Sequence, residues 1–203
     1  MERKQKKRIV PRETLKNKTK MNQISREEKL EILKQTVRNI PDFPIPGIQF
    51  KDVTPLFKTK ESLSILTDVL LDEYRNKGIT KVVGIESRGF IMGPIMALKL
   101  EAGFVPIRKP GKLPAETFEE EYEKEYGADK IQIHKDALSS EDVVLIHDDL
   151  LATGGTMLAA YKLVKKMGVK KVYINFIIEL EELEGRKLFP EDIDVSALIK
   201  FEI

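Results

Sequence analysis

The sequence predicts an α/β fold with a central parallel sheet flanked by helices. Four apolar runs of strand length lie at 81–86, 104–108, 143–146 and 171–178, and most of them alternate with helical segments. Continuous apolar runs of this length are typical of strands buried on both faces of a parallel sheet. With right-handed crossovers, this order gives strand-helix-strand units with helices on both faces.

The composition supports one domain with one substantial core. The chain has 203 residues, of which 41% are hydrophobic, and no cysteine. No run approaches the roughly 18 consecutive apolar residues that a membrane span requires, so we expect no membrane association. The lack of cysteine excludes disulfides and thiolate chemistry and fits a reducing compartment, so we expect a cytoplasmic protein.

The charge is distributed unevenly along the chain. Residues 1–20 hold nine Lys or Arg and two Glu, a charge of +7 within a total of +2, which leaves −5 on residues 21–203. The first 20 residues have few apolar side chains and no signal-peptide pattern, so they are expected to be a disordered, dispensable extension. Residues 21–203 are then the single folded domain. Nucleic-acid binding by the extension is not expected, because no aromatic residues are interleaved with its basic residues.

The first predicted helix covers about residues 26–39. Ser25 is a plausible N-cap with Glu28 three residues later, and leucines follow at helical spacing. Prolines end this helix and lead through a shaped loop to a short strand at 48–52.

Three further helices are expected. A helix over 61–76 places Leu63, Leu66, Leu70 and Tyr74 on one side, and Gly78 is its expected C-cap. The other two cover about 90–101 and 156–167. Between them, the charged stretch 109–126 has no evident buried face, whereas 130–134 alternates like a strand. We expect a hairpin or a lid in this part of the chain.

The most informative segment is 143–156, which joins a buried strand to Asp148, Asp149 and a Gly/Thr turn that opens a helix. Ligands of open α/β sheets bind at the carboxyl ends of strands. The small residues from Thr153 to Thr156 leave backbone N–H groups available to an anion. The segment has neither a P-loop nor a dinucleotide fingerprint, so we interpret it as a site for a phosphorylated sugar.

Two other segments offer anion-binding groups. Glu86 to Gly89 follows another strand, at the same edge of the predicted sheet, and includes Arg88. Residues 108–114 place three cations around a rigid turn, which suits a polyanion. Taken alone, the first is better explained as a surface turn and the second as a solvated basic loop. His147 stands next to two carboxylates but has no second metal ligand at helical spacing, so we expect it to be structural.

These segments resemble a known family. Residues 143–156 resemble the 5-phosphoribosyl 1-pyrophosphate (PRPP) motif of type I phosphoribosyltransferases. The wider match is to the adenine-specific branch and covers nearly the whole chain from Met21. It rests on the PRPP motif and on four other segments in the same order, namely 41–52, 86–90, 108–114 and 125–127.

The resemblance implies a type I phosphoribosyltransferase fold with a small N-terminal hood and a flexible catalytic loop. It implies transfer of the phosphoribosyl group from PRPP to N9 of adenine, giving AMP and pyrophosphate. It also implies a requirement for Mg²⁺ and a homodimer, because part of the basic loop can reach a neighbouring subunit.

The resemblance assigns roles to particular residues. Asp148 and Asp149 would bind the ribose hydroxyls, and Mg²⁺ would be held mainly by PRPP with these two carboxylates nearby. The 5′-phosphate would be bound by Ala152, Thr153, Gly154, Gly155 and Thr156. Pyrophosphate would be bound by Ser87, Arg88, Arg108, Lys109 and Lys112. Adenine would be bound by Gln49, Phe50, Lys51 and Arg88.

The family pattern also assigns proton exchange with the purine to Glu125, on a lid that runs from Leu113 to Tyr126. Without that pattern, the neighbouring glutamates Glu119, Glu120, Glu121 and Glu123 would be equally good candidates. The family further leads us to expect a cis peptide bond near Glu86 and Ser87. Two alternatives remain open. One is an enzyme for another 6-substituted purine, and the other is a PRPP-sensing regulator without catalysis.

Overall fold

The structure, a computed structural model, describes residues 24–124 and 127–202. The predicted order of helices and strands is confirmed, with additional strands at both ends of the domain. The helices are α1 (Arg26–Thr36), α2 (Pro55–Lys58), α3 (Lys60–Tyr74), α4 (Gly89–Lys99) and α5 (Gly155–Lys166). The strands are β1 (Arg38–Pro41), β2 (Gln49–Asp52), β3 (Lys81–Ile85), β4 (Gly103–Ile107), β5 (Thr117–Lys124), β6 (Gly127–His134), β7 (Val143–Leu151), β8 (Lys171–Leu180) and β9 (Asp194–Phe201).

The central sheet contains five parallel strands in the order β4-β3-β7-β8-β9. Two apolar clusters cover it. Residues of α5, β5 and β6 contribute to one cluster, and residues of α1 to α4 contribute to the other. Within β7, Val144 and Ile146 belong to the first cluster and Leu145 to the second. The strand is therefore buried on both faces, as its continuous apolar run predicts.

The first helix is shorter than predicted. Ser25 and Glu28 form the expected capping box, but the helix ends at Thr36 instead of Asn39. The next residues form β1, which pairs antiparallel with β2. Strand pairing therefore prevails over the helical periodicity that the sequence suggested. The hairpin so formed is the small N-terminal element before the sheet.

The end of α3 also differs from the prediction. Leu66, Leu70 and Tyr74 are buried as expected, whereas Leu63 is only partly buried. The C-cap is Arg75, whose N–H donates to the carbonyl of Leu71, and not Gly78. Gly78 has a φ of +64° and serves the turn that leads into β3.

The excursion after β4 is an antiparallel hairpin of β5 and β6. The prediction that residues 109–126 lack a buried face is wrong, because Tyr122 is only 8% exposed and Phe118 packs against the core. These two aromatic residues lie on the same face of β5, four residues apart. The intervening glutamates hid this alternation in the sequence.

The two central strands extend further than predicted. β7 and β8 remain paired as far as Leu151 and Glu179. Asp148 and Asp149 therefore lie within the last residues of β7 and not beyond its end. β9, the edge strand beside β8, was not predicted. No candidate membrane-spanning helix occurs within residues 24–124 and 127–202.

Candidate active site

A polar cleft opens at the carboxyl end of β7. Its volume is about 200 Å³, which is smaller than the roughly 300–1,000 Å³ typical of pockets for drug-sized ligands. The cleft is lined by Arg88, Asp148, Asp149, Leu150, Leu151, Ala152, Thr153, Gly154, Gly155, Thr156, Met157 and Phe176. The structure thus brings together every residue predicted for ribose and 5′-phosphate binding.

The two carboxylates lie in different environments. Asp149 is only 3% exposed, and its Oδ2 atom lies 2.6 Å from Nε of Arg88. Asp148 is less buried, and its Oδ1 atom accepts a hydrogen bond from the N–H of Asp149. Burial raises the pKa of both groups, and the charge of Asp149 raises the pKa of Asp148 further. A ligand with several hydroxyl groups would give these carboxylates hydrogen-bond donors.

Residues 152–156, which we call the phosphate loop, connect β7 to α5. Gly154 has a φ of +84° and precedes the first residue of the helix. The helix has 12 residues, and its first turn contains no acidic residue. Its unpaired N–H groups and its dipole therefore favour an anion at this end.

The turn after β3 brings Arg88 to the same cleft. The expected cis peptide bond is present between Glu86 and Ser87. α4 begins at Gly89, where a Cβ atom would lie 2.7 Å from the carbonyl oxygen of His147. Glycine therefore allows the helix to pack directly on β7. This contact places Arg88 within ion-pair distance of Asp149.

Residues 108–114, the basic segment, lie beside the end of β3, but their cations contact acidic groups of the protein. Arg108 donates from Nε and NH2 to the two carboxylate oxygens of Glu86, at 3.1 and 3.0 Å. These hydrogen bonds lower the pKa of Glu86. Lys109 forms an ion pair with Asp129 and donates to the Tyr122 hydroxyl at 2.9 Å. Partial burial opposes the charge of Lys109, but both contacts raise its pKa. Lys112 is exposed.

The residues predicted for adenine are on the β1–β2 hairpin. The Gln49 side chain accepts a hydrogen bond from Asn39 at 2.7 Å, and Lys51 donates to the same asparagine at 3.0 Å. The Phe50 ring packs edge-on against Phe43, with 5.1 Å between centroids. None of the three predicted residues lines the cleft described above.

Asp52, at the end of β2, is influenced by the charge of Arg88 in the cleft. Burial works in the opposite direction, but hydrogen bonds with Thr54 and the charges of Arg38 and Arg88 lower the pKa of Asp52. Of the residues predicted to contact adenine, Arg88 is the one that lines the cleft.

Glu125 and Tyr126 lie outside the described residues. The strands on either side of them are paired as far as Lys124 and Gly127. β5 lies against the start of α5, because a Cβ atom on Gly155 would be 3.3 Å from the carbonyl oxygen of Glu123. The segment predicted to be the lid is thus anchored next to the phosphate loop.

His147 is fully buried, and its Nδ1 atom lies 2.9 Å from Oδ1 of Asn175. Burial lowers the pKa of His147 to about 4, so the ring is neutral at physiological pH. These contacts are those expected of a structural histidine. No cluster of three or more potential metal ligands was found in the portions of the chain that the structure describes.

Four lining residues, Leu150, Leu151, Met157 and Phe176, were not among the predicted site residues, and neither was Gly185, which lies outside the lining. Phe176 lines the cleft from β8, where it is paired in register with Asp148. Gly185 contacts the phosphate loop from behind. The strand containing Phe176 was predicted, but its register against β7 was not. The contact of Gly185 joins segments about 30 residues apart in the sequence, and no local pattern indicates it.

Comparisons with known proteins agree with this geometry. The Phosphoribosyl transferase domain family matches residues 52–198. Adenine phosphoribosyltransferase of Bacteroides fragilis is 68% identical over 166 residues, which are 82% of this chain and 93% of the relative. The crystal structure of adenine phosphoribosyltransferase from Rhodothermus marinus is 50% identical, with a TM-score of 0.81 over 86% of this chain and 99% of that one.

A third similar protein was solved with ligands. It is adenine phosphoribosyltransferase from Saccharomyces cerevisiae, in complex with an imino-altritol bisphosphate and adenine. It is 40% identical to this chain, with a TM-score of 0.80 over 85% of this chain and 99% of that one.

Proposed function

The chain belongs to the adenine phosphoribosyltransferase family, and from this membership we propose that it transfers the 5-phosphoribosyl group of PRPP to N9 of adenine. The products are AMP and pyrophosphate, and the reaction serves purine salvage. The observation that carries the proposal is the cleft at the end of β7, in which two carboxylates, one of them almost fully buried, adjoin a helix N-terminus. That combination suits a ribose joined to a phosphate. The 68% identity to a relative named for this reaction supports the choice of adenine.

Asp148 and Asp149 bind the ribose hydroxyls in this proposal, and the phosphate loop binds the 5′-phosphate. Departure of pyrophosphate leaves positive charge on the ribose ring, and nearby carboxylates stabilise that charge. The ion pair with Arg88 orients Asp149 before the substrate arrives. The N–H groups at the start of α5 are oriented by the helix itself, so phosphate binding requires little rearrangement.

Pyrophosphate is bound by the turn that contains Ser87 and Arg88 and by Arg108, Lys109 and Lys112 of the basic segment. Guanidinium and ammonium groups neutralise the charge that accumulates on the leaving group. Arg108 and Lys109 already contact Glu86 and Asp129. Binding of the polyanion would therefore exchange these partners for phosphate oxygens.

The residues of the cleft also fit Mg²⁺. This cation binds in proteins through one or two carboxylates together with substrate phosphates and water. PRPP would hold the cation mainly through its own oxygens, and the carboxylates of Asp148 and Asp149 would lie nearby. When bound, Mg²⁺ neutralises charge on the leaving pyrophosphate.

Adenine is selected by the backbone of residues 49–51 on β2, with Arg88 on the other side. N1 of adenine accepts a hydrogen bond and its 6-amino group donates one, whereas hypoxanthine has the opposite pattern. Fixed backbone groups therefore discriminate strongly between the two bases, because the wrong base leaves buried polar groups unpaired. The antiparallel pairing with β1 holds this backbone in place.

Glu125 exchanges the proton of the purine imidazole ring as adenine becomes bonded at N9. A carboxylate in a closed site is suited to this task, since its pKa shifts toward the working pH. The lid that carries Glu125 excludes water from the reactive ribose. The proximity of β5 to the start of α5 supports this arrangement.

We further propose that the enzyme is a cytoplasmic homodimer whose folded domain comprises residues 21–203. The absence of cysteine supports the reducing compartment. In the family to which the chain belongs, part of the corresponding basic loop can reach a neighbouring subunit, which supports the dimer. Light scattering of the purified protein would test it, and a monomeric mass at micromolar concentration would contradict it.

The reaction itself is tested by mixing the protein with PRPP, Mg²⁺ and one base at a time. Adenine should give AMP and pyrophosphate, while hypoxanthine, guanine and xanthine should give no product at the same enzyme concentration. Formation of IMP, GMP or XMP would replace adenine by another 6-substituted purine. PRPP binding without any product would indicate a regulator.

A further inference from the structure

We propose that the turn at residues 184–188 is a positioning element for the 5′-phosphate, with Gly185 as the residue that sets the shape of the phosphate loop. The inference rests on the proposed function, because it concerns how the same site holds PRPP. The turn is not part of the cleft lining. It acts through the loop that it touches.

The contact between the two segments is backbone against backbone. A Cβ atom on Gly185 would lie 2.1 Å from the carbonyl oxygen of Ala152 and 2.9 Å from the N atom of Gly154. In return, a Cβ atom on Gly154 would lie 2.6 Å from the carbonyl oxygen of Gly185. Such distances leave no room for a side chain on either residue, so the loop and the turn share one fixed arrangement.

The reason for glycine differs at the two positions. Gly154 has a φ of +84°, so its backbone conformation alone favours glycine. Gly185 is not among the residues with a positive φ. Its lack of a side chain is therefore required by the close contact with the phosphate loop and not by its own conformation.

An ion pair fixes the turn to the sheet. Arg186 donates from Nε and Nη2 to the two carboxylate oxygens of Glu179, at 2.9 and 2.5 Å. It also donates from Nη1 to the carbonyl oxygen of Val195 at 2.5 Å. The hydrogen bonds with Glu179 raise the pKa of Arg186. Glu179 is 5% exposed, and it is paired in register with Leu151 of β7. The turn is thus attached next to the point where the phosphate loop begins.

This arrangement connects the turn to substrate binding. The N–H groups of the phosphate loop must converge on the phosphate oxygens, and a displacement of about 1 Å is enough to weaken such a site strongly. A side chain at position 185 would push on Ala152 and Gly154 from behind. The three atoms nearest to such a Cβ belong to Ala152, Thr153 and Gly154, none of which we propose for adenine or for proton exchange.

The test is Gly185→Ala, with Gly103→Ala as the matched control. A Cβ atom on Gly103 would meet only the flexible end of Lys81, so the same chemical change there requires no backbone shift. In Gly185→Ala, we expect the KM for PRPP and the Kd for ribose 5-phosphate to rise about tenfold. The KM for adenine should stay within about twofold of the wild-type value, and the control should change neither constant.

A second variant covers the case in which Gly185→Ala does not fold. Arg186→Lys keeps the charge but loses the two-pronged contact with Glu179. It should raise the KM for PRPP and the Kd for ribose 5-phosphate about threefold while thermal unfolding remains cooperative. Unchanged binding of PRPP and ribose 5-phosphate in the folded variants would overturn the inference. An equal rise in the KM for PRPP and the KM for adenine would also overturn it.

The measurement of ribose 5-phosphate binding distinguishes a failure of this inference from a failure of the proposed function. Calorimetry with ribose 5-phosphate requires no turnover. If wild-type protein made no AMP, the proposed function would fail, and ribose 5-phosphate binding would still decide the role of the turn. If wild-type protein made AMP and Gly185→Ala bound ribose 5-phosphate equally well, only the present inference would fail.

Discussion

The phosphate loop and the basic segment prepare for their ligands in different ways. The loop presents backbone N–H groups whose direction is set by α5, by Gly154 and by the turn behind it. The basic segment presents side chains that already contact Glu86 and Asp129. The first is ready for an anion as it stands, whereas the second must exchange partners. We infer that the phosphate loop determines how tightly PRPP binds. The basic segment and the adjoining β5–β6 hairpin determine turnover.

Replacement of Glu125 should have the largest effect on activity, and it tests the separation of PRPP binding from turnover. Loss of a general acid or base lowers turnover about 10²- to 10⁴-fold. In Glu125→Ala, we expect kcat to fall within this range while the Kd for PRPP changes little. Initial rates and calorimetry measure the two quantities. Glu121→Ala is a suitable control because Glu121 is an exposed acid of the same hairpin.

An equal loss of PRPP affinity and turnover in Glu125→Ala would contradict the division. A loss of turnover in Glu121→Ala but not in Glu125→Ala would instead move the catalytic role to another glutamate of β5.

Asp149→Asn should have the next largest effect, on substrate binding. The change removes the charge that pairs with Arg88 and replaces one of the two proposed ribose-accepting oxygens by an NH2 group, which donates. Loss of a charged hydrogen bond costs about 2–3 kcal/mol, so kcat/KM for PRPP should fall about 100-fold. Circular dichroism should remain that of the wild type. Unaltered PRPP affinity would contradict the role of Asp149, and Asp136→Asn, which changes an exposed carboxylate, serves as the control.

These two predictions differ in how far the sequence supports them. The motif from Asp148 to Thr156 is contiguous, and α5 begins where the Gly/Thr turn predicts, so the ribose and phosphate residues could be found without the structure. Glu125 was chosen only through the family pattern, since four neighbouring glutamates were otherwise equivalent candidates. It also lies outside the described residues, so its role remains a prediction.

The contacts that join distant segments could not be predicted. The pairing of Arg108 with Glu86 depends on the register of β3 against β4, and local periodicity does not encode that register. Gly185 meets the phosphate loop only because β8 returns beside β7. Similarly, β1 is extended because it pairs with β2, although the residues before it continue a helical pattern. Tertiary pairing decided each of these features.

Asp129→Asn tests whether Lys109 exchanges its carboxylate partner for pyrophosphate. In the proposed mechanism Lys109 leaves Asp129 to bind pyrophosphate, and a partly exposed ion pair is worth about 0–1 kcal/mol. The variant should therefore bind pyrophosphate up to about fivefold more tightly in calorimetry. Glu116→Gln, which alters an exposed pair with Lys135, should have no effect. Weaker pyrophosphate binding in Asp129→Asn would mean that Asp129 positions Lys109 for the ligand.

The smallest effect concerns stability and its dependence on pH. Arg108 lowers the pKa of Glu86 in the folded state, so this pair stabilises the fold above the unfolded pKa of about 4.3. That contribution is lost as the pH falls through the lowered folded pKa. Glu86→Gln should cost about 1 kcal/mol and lower Tm by about 2–4 °C at pH 7. The difference from wild type should shrink below pH 4.

Scanning calorimetry across this pH range would check the result. Asp72→Asn, which removes an exposed surface pair with Arg75, should show almost no difference at any pH. A Glu86→Gln deficit that stayed constant down to low pH would contradict the role of the charged pair in stability.

The separation of binding from turnover is tested most directly by titrating the protein with ribose 5-phosphate in the absence of adenine. A loop that is organised before the base arrives should bind this ligand saturably in calorimetry. Binding should be unchanged in Glu125→Ala and strongly weakened in Asp149→Asn. Absence of binding until adenine is added, or equal weakening in both variants, would contradict the account.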